Sequence, residues 1–164
     1  MKKYLQNGFT LIELLVVIAI IGVLASLIVA NFNAARERAR DTARKSDLRN
    51  TQTALRAYYN DYGNFPNDSG ISTLKINGCG SLGMSTCEWG DTFTAAVTQV
   101  YMTVLPGDPQ ASTGRQYQYD LTADTEVYEL SACLENATDV ACLPSSQTPQ
   151  WCKNFKGCLY RVKP

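Results

Sequence analysis

GFTLIELLVVIAIIGVLA, residues 8–25, decides how this chain is read. It opens a longer stretch, FTLIELLVVIAIIGVLASLIVANF (residues 9–32), dominated by Leu, Ile and Val, with Glu13 as its single charge. From Leu14 to Ala35 no residue is charged. A run of this kind exceeds the ~20 helical residues that cross a bilayer. It follows MKKYLQNG, where Lys2 and Lys3 favour a cytoplasmic amino end. Arg36, Arg38 and Arg40 beyond the run argue for the opposite orientation, so the charge count alone leaves topology open. A secretory signal would close on a small-residue cleavage site. Here the apolar run passes into a helical pattern instead. Glu13 is the anomaly, because a carboxylate in an apolar span is expensive and needs a partner.

Outward from the run, NAARERARDTARKSDLRNTQTALRAYYNDY (residues 33–62) contains neither Pro nor Gly. Ala35, Ala39, Ala43, Leu48, Leu55, Tyr58, Tyr59 and Tyr62 fall near helical spacing and mark an apolar stripe. Residues 36–61 hold seven Lys/Arg and four Asp/Glu. A basic stripe of this type can meet DNA or anionic lipid. The simpler reading is a solvated face, with Glu37 and Asp41 pairing locally among Arg36, Arg38, Arg40, Arg44 and Lys45. The two segments together predict one helix from Phe9 to about Asp61, roughly 80 Å long at ~1.5 Å per residue. Gly22 is a weak point inside it. Gly63, Pro66 and Gly70 in YGNFPNDSG stop it.

The remainder reads as a head with small β elements. Residues 77–87, NGCGSLGMSTC, read as loop, and residues 91–104 as a short helix. PGDP (106–109) is a turn, RQYQYDL (115–121) and EVYELSACL (126–134) are strands, and CLYRV (158–162) adds a short final strand. All six cysteines, Cys79, Cys87, Cys133, Cys142, Cys152 and Cys158, lie in this half and none forms a CxxC pair. An even set of this spacing in a small exported domain reads as disulfides rather than metal ligands. Sequential pairing (Cys79–Cys87, Cys133–Cys142, Cys152–Cys158) is one of fifteen arrangements. Trp151, Phe155 and Tyr160 either anchor the tail to the sheet or form an adhesive surface.

Of 164 residues, 45% are hydrophobic and 18% charged, too apolar for general disorder, and 15 Lys+Arg balance 15 Asp+Glu. The chain has no His, which removes the commonest acid-base group at neutral pH and the Ser-His-Asp arrangement. No P-loop, dinucleotide fingerprint, G-x-S-x-G elbow or metal-ligand cluster is present, so an enzyme is not expected. The other class consistent with these features is a single-span membrane-anchored receptor or binding protein.

Residues 8–25 resemble the start of a type IV prepilin or type II secretion pseudopilin. The short basic leader, Gly8-Phe9, Thr10-Leu11, Glu13 and the long apolar helix carry the likeness, which covers residues 1–65 well. The YGNFP exit is similar to that of many pilins. LPGDPQASTGRQYQYD (105–120) resembles the LPxDPxGxPYxY region of major pseudopilins. Leu105, Pro106, Asp108, Pro109, Tyr117 and Tyr119 match, while Gln110 and Arg115-Gln116 depart from it.

The resemblance implies an α+β, pilin-like fold: a long helix packed on a small antiparallel sheet, with a cysteine-rich tail. Its parts are a leader (1–8), a transmembrane and filament-core helix (9–32), an amphipathic continuation (33–62) and an extracytoplasmic head (63–164). A prepilin peptidase would cut after Gly8, and Phe9 would be N-methylated. Glu13 would pair with the new amine of Phe9 on a neighbouring subunit, since either charge alone in an apolar bundle is heavily penalised. Local capping of the helix start is the alternative use of Glu13. The implied partners are further copies in a helical filament, minor pilins, the peptidase and methyltransferase, a platform protein, a cytoplasmic ATPase motor and, before assembly, membrane lipid. The implied place is the bacterial cytoplasmic membrane and then a surface or periplasm-spanning filament. Pilus, secretion and DNA-uptake uses all stay open. No cofactor is expected. Calcium, held in some major pseudopilins by a late acidic loop, has only Asp120, Asp124, Glu126, Glu135 and Asp139 to draw on, without an ordered ligand pattern.

Overall fold

The computed structural model describes residues 8–68, 70, 75–80, 85–95, 99–122 and 126–164, with the side chains at 27–31 left aside. Leader residues 1–7, with Lys2 and Lys3, lie outside the described residues, as does Asp124. A single helix, α1, runs from Leu11 to Tyr62. The chain forms two compact units that divide between Glu37 and Arg38.

In the first unit the side chains of Phe9, Leu11, Ile12, Leu14, Leu15, Ile18, Ile21 and Val23 are all exposed. They point to every side of the helix. A helix that is apolar all round requires lipid or other helices as surroundings. Among the described residues, no helix is long and apolar enough to cross a membrane. The expected span, 9–32, includes the side chains at 27–31, which lie outside the description.

In the second unit α1 ends because Gly63 adopts a left-handed conformation (φ 72°) and its N–H bonds back to Tyr59 O at 2.8 Å. Then follow β1 (Asn67–Asp68), β2 (Ile76–Cys79), β3 (Ser85–Thr86), β4 (Phe93–Ala95), β5 (Gln99–Met102), β6 (Gln118–Leu121), β7 (Tyr128–Leu134), the short helix α2 (Gln150–Lys153) and β8 (Cys158–Val162). They form three antiparallel sheets, ordered β1-β2-β3, β4-β5 and β6-β7-β8. Strand alternation puts Tyr119, Tyr128 and Leu130 on the helix side of the third sheet, where all three are buried. They join Leu48, Leu55 and Tyr58 of α1 with Phe65 and Phe93 in one core.

Several expectations need correction. Residues 91–104 were expected to be helical, yet Phe93–Ala95 and Gln99–Met102 pair as antiparallel strands. The stretch is rich in Thr, Val and aromatic residues, which favour strands. Phe93 is anchored by stacking on Tyr58, with centroids 5.7 Å apart. Residues 77–87 were expected to be loop, but β2 and β3 pair there, closed by the Cys79–Cys87 disulfide. Residues 81–84 and 96–98 lie outside the described residues.

The stripe on α1 also differs. Leu48, Leu55 and Tyr58 do face the head, but Ala35, Ala39, Ala43 and Tyr62 are exposed. The buried face is continued instead by Asp41, Arg44 and Thr51. An apolar count misses it because its upper half is made of charges that neutralise one another.

The pairing of four cysteines departs from the sequential guess. Cys133 joins Cys152 and Cys142 joins Cys158. Register explains this. Leu134 opposes Cys158 across β7 and β8, so Cys158 shares the face of Leu134 and not that of its neighbour Cys133. Leu143 N–H donates to Leu159 O at 2.8 Å and brings Cys142 beside Cys158. That leaves Cys133, on the other face, for Cys152 of α2. The crossing is tight at Gly157, where a Cβ would sit 2.1 Å from Leu134 O.

Candidate assembly site

The helix start is built as a reciprocal cap. Thr10 precedes the first helical residue and Glu13 is the third, the spacing of a capping box. The Thr10 backbone N–H and hydroxyl donate to Glu13 Oε2 at 2.8 and 2.7 Å. Glu13 N–H donates to Thr10 Oγ1 at 3.3 Å. In the isolated chain, therefore, Glu13 makes local capping contacts. Gly8 and Phe9 lie just before this cap and are exposed, Phe9 at 87%. The Glu13 carboxylate and an accessible Gly8-Phe9 bond are thus four to five residues apart at one end of the helix.

The head is attached to α1 by a buried ion cluster around Arg44, which is 0% exposed. Its Nε and Nη2 donate to the two oxygens of Asp108 at 2.8 and 3.0 Å. Its Nη1 donates to Asp41 at 2.8 Å and to Glu135 at 2.7 Å, and Nη2 also reaches Gln110 at 3.1 Å. These bonds use the guanidinium fork in the planar geometry that suits it. Arg40 Nε adds a second cation to Glu135 at 2.7 Å, and Lys45 holds Asp139 at 2.6 Å. Asp41 also accepts from the backbone N–H groups of Glu135 and Asn136.

Burial pushes the Glu135 carboxyl up, but hydrogen bonds from Arg40 and Arg44 outweigh it and hold the group at about 2. The Asp139 carboxyl is lowered chiefly by its bond from Lys45. For Arg44, burial opposes the charge, yet the carboxylates around it raise its pKa further.

The residues of the LPGDPQASTGRQYQYD segment acquire roles here. Leu105 is buried. Asp108 grips Arg44. The Tyr117 hydroxyl donates to Asp47 on α1 at 2.7 Å, and the Tyr119 hydroxyl donates to Pro66 O at 2.6 Å. Arg115, a departure from the resemblance, is buried and donates to the carbonyls of Cys133 (3.0 Å) and Phe155 (3.2 Å). Its guanidinium also lies 4.6 Å from the Phe155 ring centre. Arg115 therefore ties the cysteine-rich tail to the strand before it.

The sequence did not reveal Arg44, Glu135 or Arg115 as organising groups. The only available signal was the adjacency of Asp41 and Arg44, three apart on one helix face, among other candidate pairs. Glu135 and Asp139 are taken up by cations of α1, and no group of three or more Cys, Asp or Glu among the described residues is placed to hold a metal.

A family model for the prokaryotic N-terminal methylation motif matches residues 3–29, the stretch that holds Gly8, Phe9 and Glu13. The type II secretion system core protein G of Pseudomonas aeruginosa is 32% identical over 120 residues, covering 73% of this chain and 76% of that protein. The chain belongs to the family of type IV pilins and type II secretion core protein G. Two further relatives match over shorter stretches. The core protein G of Pectobacterium carotovorum is 42% identical over 72 residues, 43% of this chain and 46% of its own length. The type IV major pilin protein PilA of Myxococcus xanthus is 35% identical over 75 residues, 44% of this chain and 34% of its own. The chain thus spans half or less of these two relatives. No solved structure matches.

Proposed function

We propose that this chain is a structural subunit of a type IV pilus-like filament, made as a prepilin and processed between Gly8 and Phe9. The observation that carries the reading is the coincidence at one helix end of the methylation motif, an exposed Gly8-Phe9 bond and Glu13, followed by apolar side chains on every face. Before assembly those side chains rest in the cytoplasmic membrane, with the leader inside and the head outside. After cleavage they pack against the same surfaces of further copies. Transfer from lipid to a helical bundle exchanges one apolar setting for another, so hydrophobic burial alone does not drive it. This is why a platform protein and an ATPase motor are expected as partners, alongside minor pilins.

Glu13 is read as changing partners during this step. Cleavage creates a cationic amine on Phe9. In the filament the amine of an adjacent copy replaces or shares the Thr10 cap, and the two charges neutralise each other where neither is solvated. The function needs no catalytic residue and no cofactor in this chain. It is the substrate of a peptidase and methyltransferase.

A second reading within the same family is a secretion pseudopilus subunit. It is favoured by the longer alignment to core protein G, which extends past α1 into the head. Both readings share the processing step. Mass spectrometry of the membrane and extracted protein tests it: the working form should begin with methylated Phe9, and replacing Gly8 with a bulky residue should leave the leader in place. A working form retaining residues 1–8 would instead support a membrane-anchored receptor.

A further inference from the structure

The outer face of the third sheet, turned away from α1, carries a cleft of its own. Register places Gln118, Ser131 and Arg161 side by side across β6, β7 and β8, and Asp120 opposite Glu129 one step along. Pro149 and Trp151 overhang this row, because the Cys133–Cys152 disulfide fastens α2 above the sheet. Between them is a cleft of about 240 Å³. That is room for one six-membered ring with its substituents.

The lining chemistry narrows the occupant. Glu129 is already bridged by Arg161 at 3.1 Å and Lys163 at 2.7 Å. An anion would meet two carboxylates, Asp120 and Glu129, and a cation would meet Arg161. A neutral ligand escapes both penalties. Arg161 Nη1 is already spent on Glu129, at 3.2 Å from Oε1, so the remaining polar groups of the lining are Gln118, Ser131 and Asp120. Gln118 and Ser131 offer both donors and acceptors, and Asp120 offers acceptors. Trp151 supplies a flat face whose negative π surface suits polarised C–H groups. Neutral, rich in hydroxyls and apolar on one ring face is the description of a sugar.

We propose that this cleft binds one neutral saccharide ring, stacked on Trp151 and hydrogen-bonded by Gln118, Ser131 and Asp120. The disulfide holds the wall over the floor before the ligand arrives, which lowers the ordering cost of binding. The site stands independently of whether the filament serves a pilus or a secretion system.

The test uses the full chain in a zwitterionic detergent that contains no sugar. Saturation-transfer NMR is recorded with the methyl glycosides of glucose, galactose, mannose and N-acetylglucosamine at millimolar concentration. At least one should receive saturation, strongest on the ring C–H groups of one face. Trp151→Ala should abolish the transfer. Asp120→Asn and Gln118→Ala, which leave the disulfides and core untouched, should each weaken binding roughly fivefold, the value of one hydrogen bond. Near-UV circular dichroism confirms that each variant is folded. No transfer to any of the four sugars, or transfer undiminished in folded Asp120→Asn and Gln118→Ala, would overturn the proposal.

Discussion

Replacing Arg44 with Met removes the cation at the centre of the head while nearly preserving side-chain length. In the native protein Arg44 and the Asp108 side chain are both 0% exposed, and Asp41 is 3% exposed. After the change Asp41 keeps the backbone N–H groups of Glu135 and Asn136, and Glu135 keeps Arg40. Asp108 keeps only the Gln110 N–H at 2.7 Å. A buried carboxylate is left without a counter-charge, which costs about 3–5 kcal/mol. For the unit formed by residues 38–164, at roughly 3–4 °C per kcal/mol, that is a fall of roughly 10–20 °C in Tm. Near-UV circular dichroism melts of the oxidised protein provide the assay. Arg49, exposed on the same helix, serves as control, and Arg49→Met should shift Tm by less than about 2 °C. The double change Arg44→Met, Asp108→Leu should recover part of the loss, since it removes the orphaned charge. A fall below roughly 4 °C for Arg44→Met would refute the reasoning, because it would place this cluster among exposed pairs worth at most ~1 kcal/mol.

Further outcomes follow from the same geometry. Hydrogen bonds from Arg40 and Arg44 hold the Glu135 carboxyl at about 2, below the ordinary glutamate value of 4.5, so its stabilising contribution is fully present above about pH 4.5 and is lost as pH falls toward 2. Acid melts should show that loss, and Glu135→Gln should flatten it. Non-reducing peptide mapping should recover Cys79–Cys87, Cys133–Cys152 and Cys142–Cys158, and six alkylatable thiols in freshly isolated protein would contradict the bridged tail. Glu13→Ala and Glu13→Gln should leave export, cleavage and head folding intact but impair assembly, with Ala at least as harmful as Gln. Sheared filament yield against processed membrane subunit measures this. Normal yield from Glu13→Ala expressed alone would count against the intersubunit role.

Much of the fold was legible because it rests on local signals. The apolar run, the absence of Pro and Gly from residues 33–62 and the Gly63 stop together define α1. Alternating aromatics marked β6, and Tyr128, Leu130 and Cys133 marked β7. The 91–104 segment was read as a helix although Thr and Val, which favour strands, are frequent in it. The decision came from Phe93, whose place against Tyr58 is a contact no local pattern reports.

The disulfide pairing was illegible for a similar reason. It depends on which face of β8 Cys158 occupies, and that is set by its register with Leu134. At the site, Glu13 stood out because charge in an apolar run is rare. Arg44 did not, because it was one of seven cations in residues 36–61. Its partners Asp108 and Glu135 lie 64 and 91 residues away along the chain. Arg115 appeared only as a departure from a known pattern, and its role as a tie to the tail emerged from the carbonyls it binds.

The central claim is that the working form of this chain is a processed subunit inside a filament. Electron microscopy of the fraction sheared from cells, with intact-mass spectrometry of the protein it contains, tests this most directly. The account predicts thin filaments whose subunit comprises residues 9–164, carries a methyl group on Phe9 and retains three disulfides. A working form that keeps residues 1–8 in the membrane, with no filament containing this chain, would contradict it.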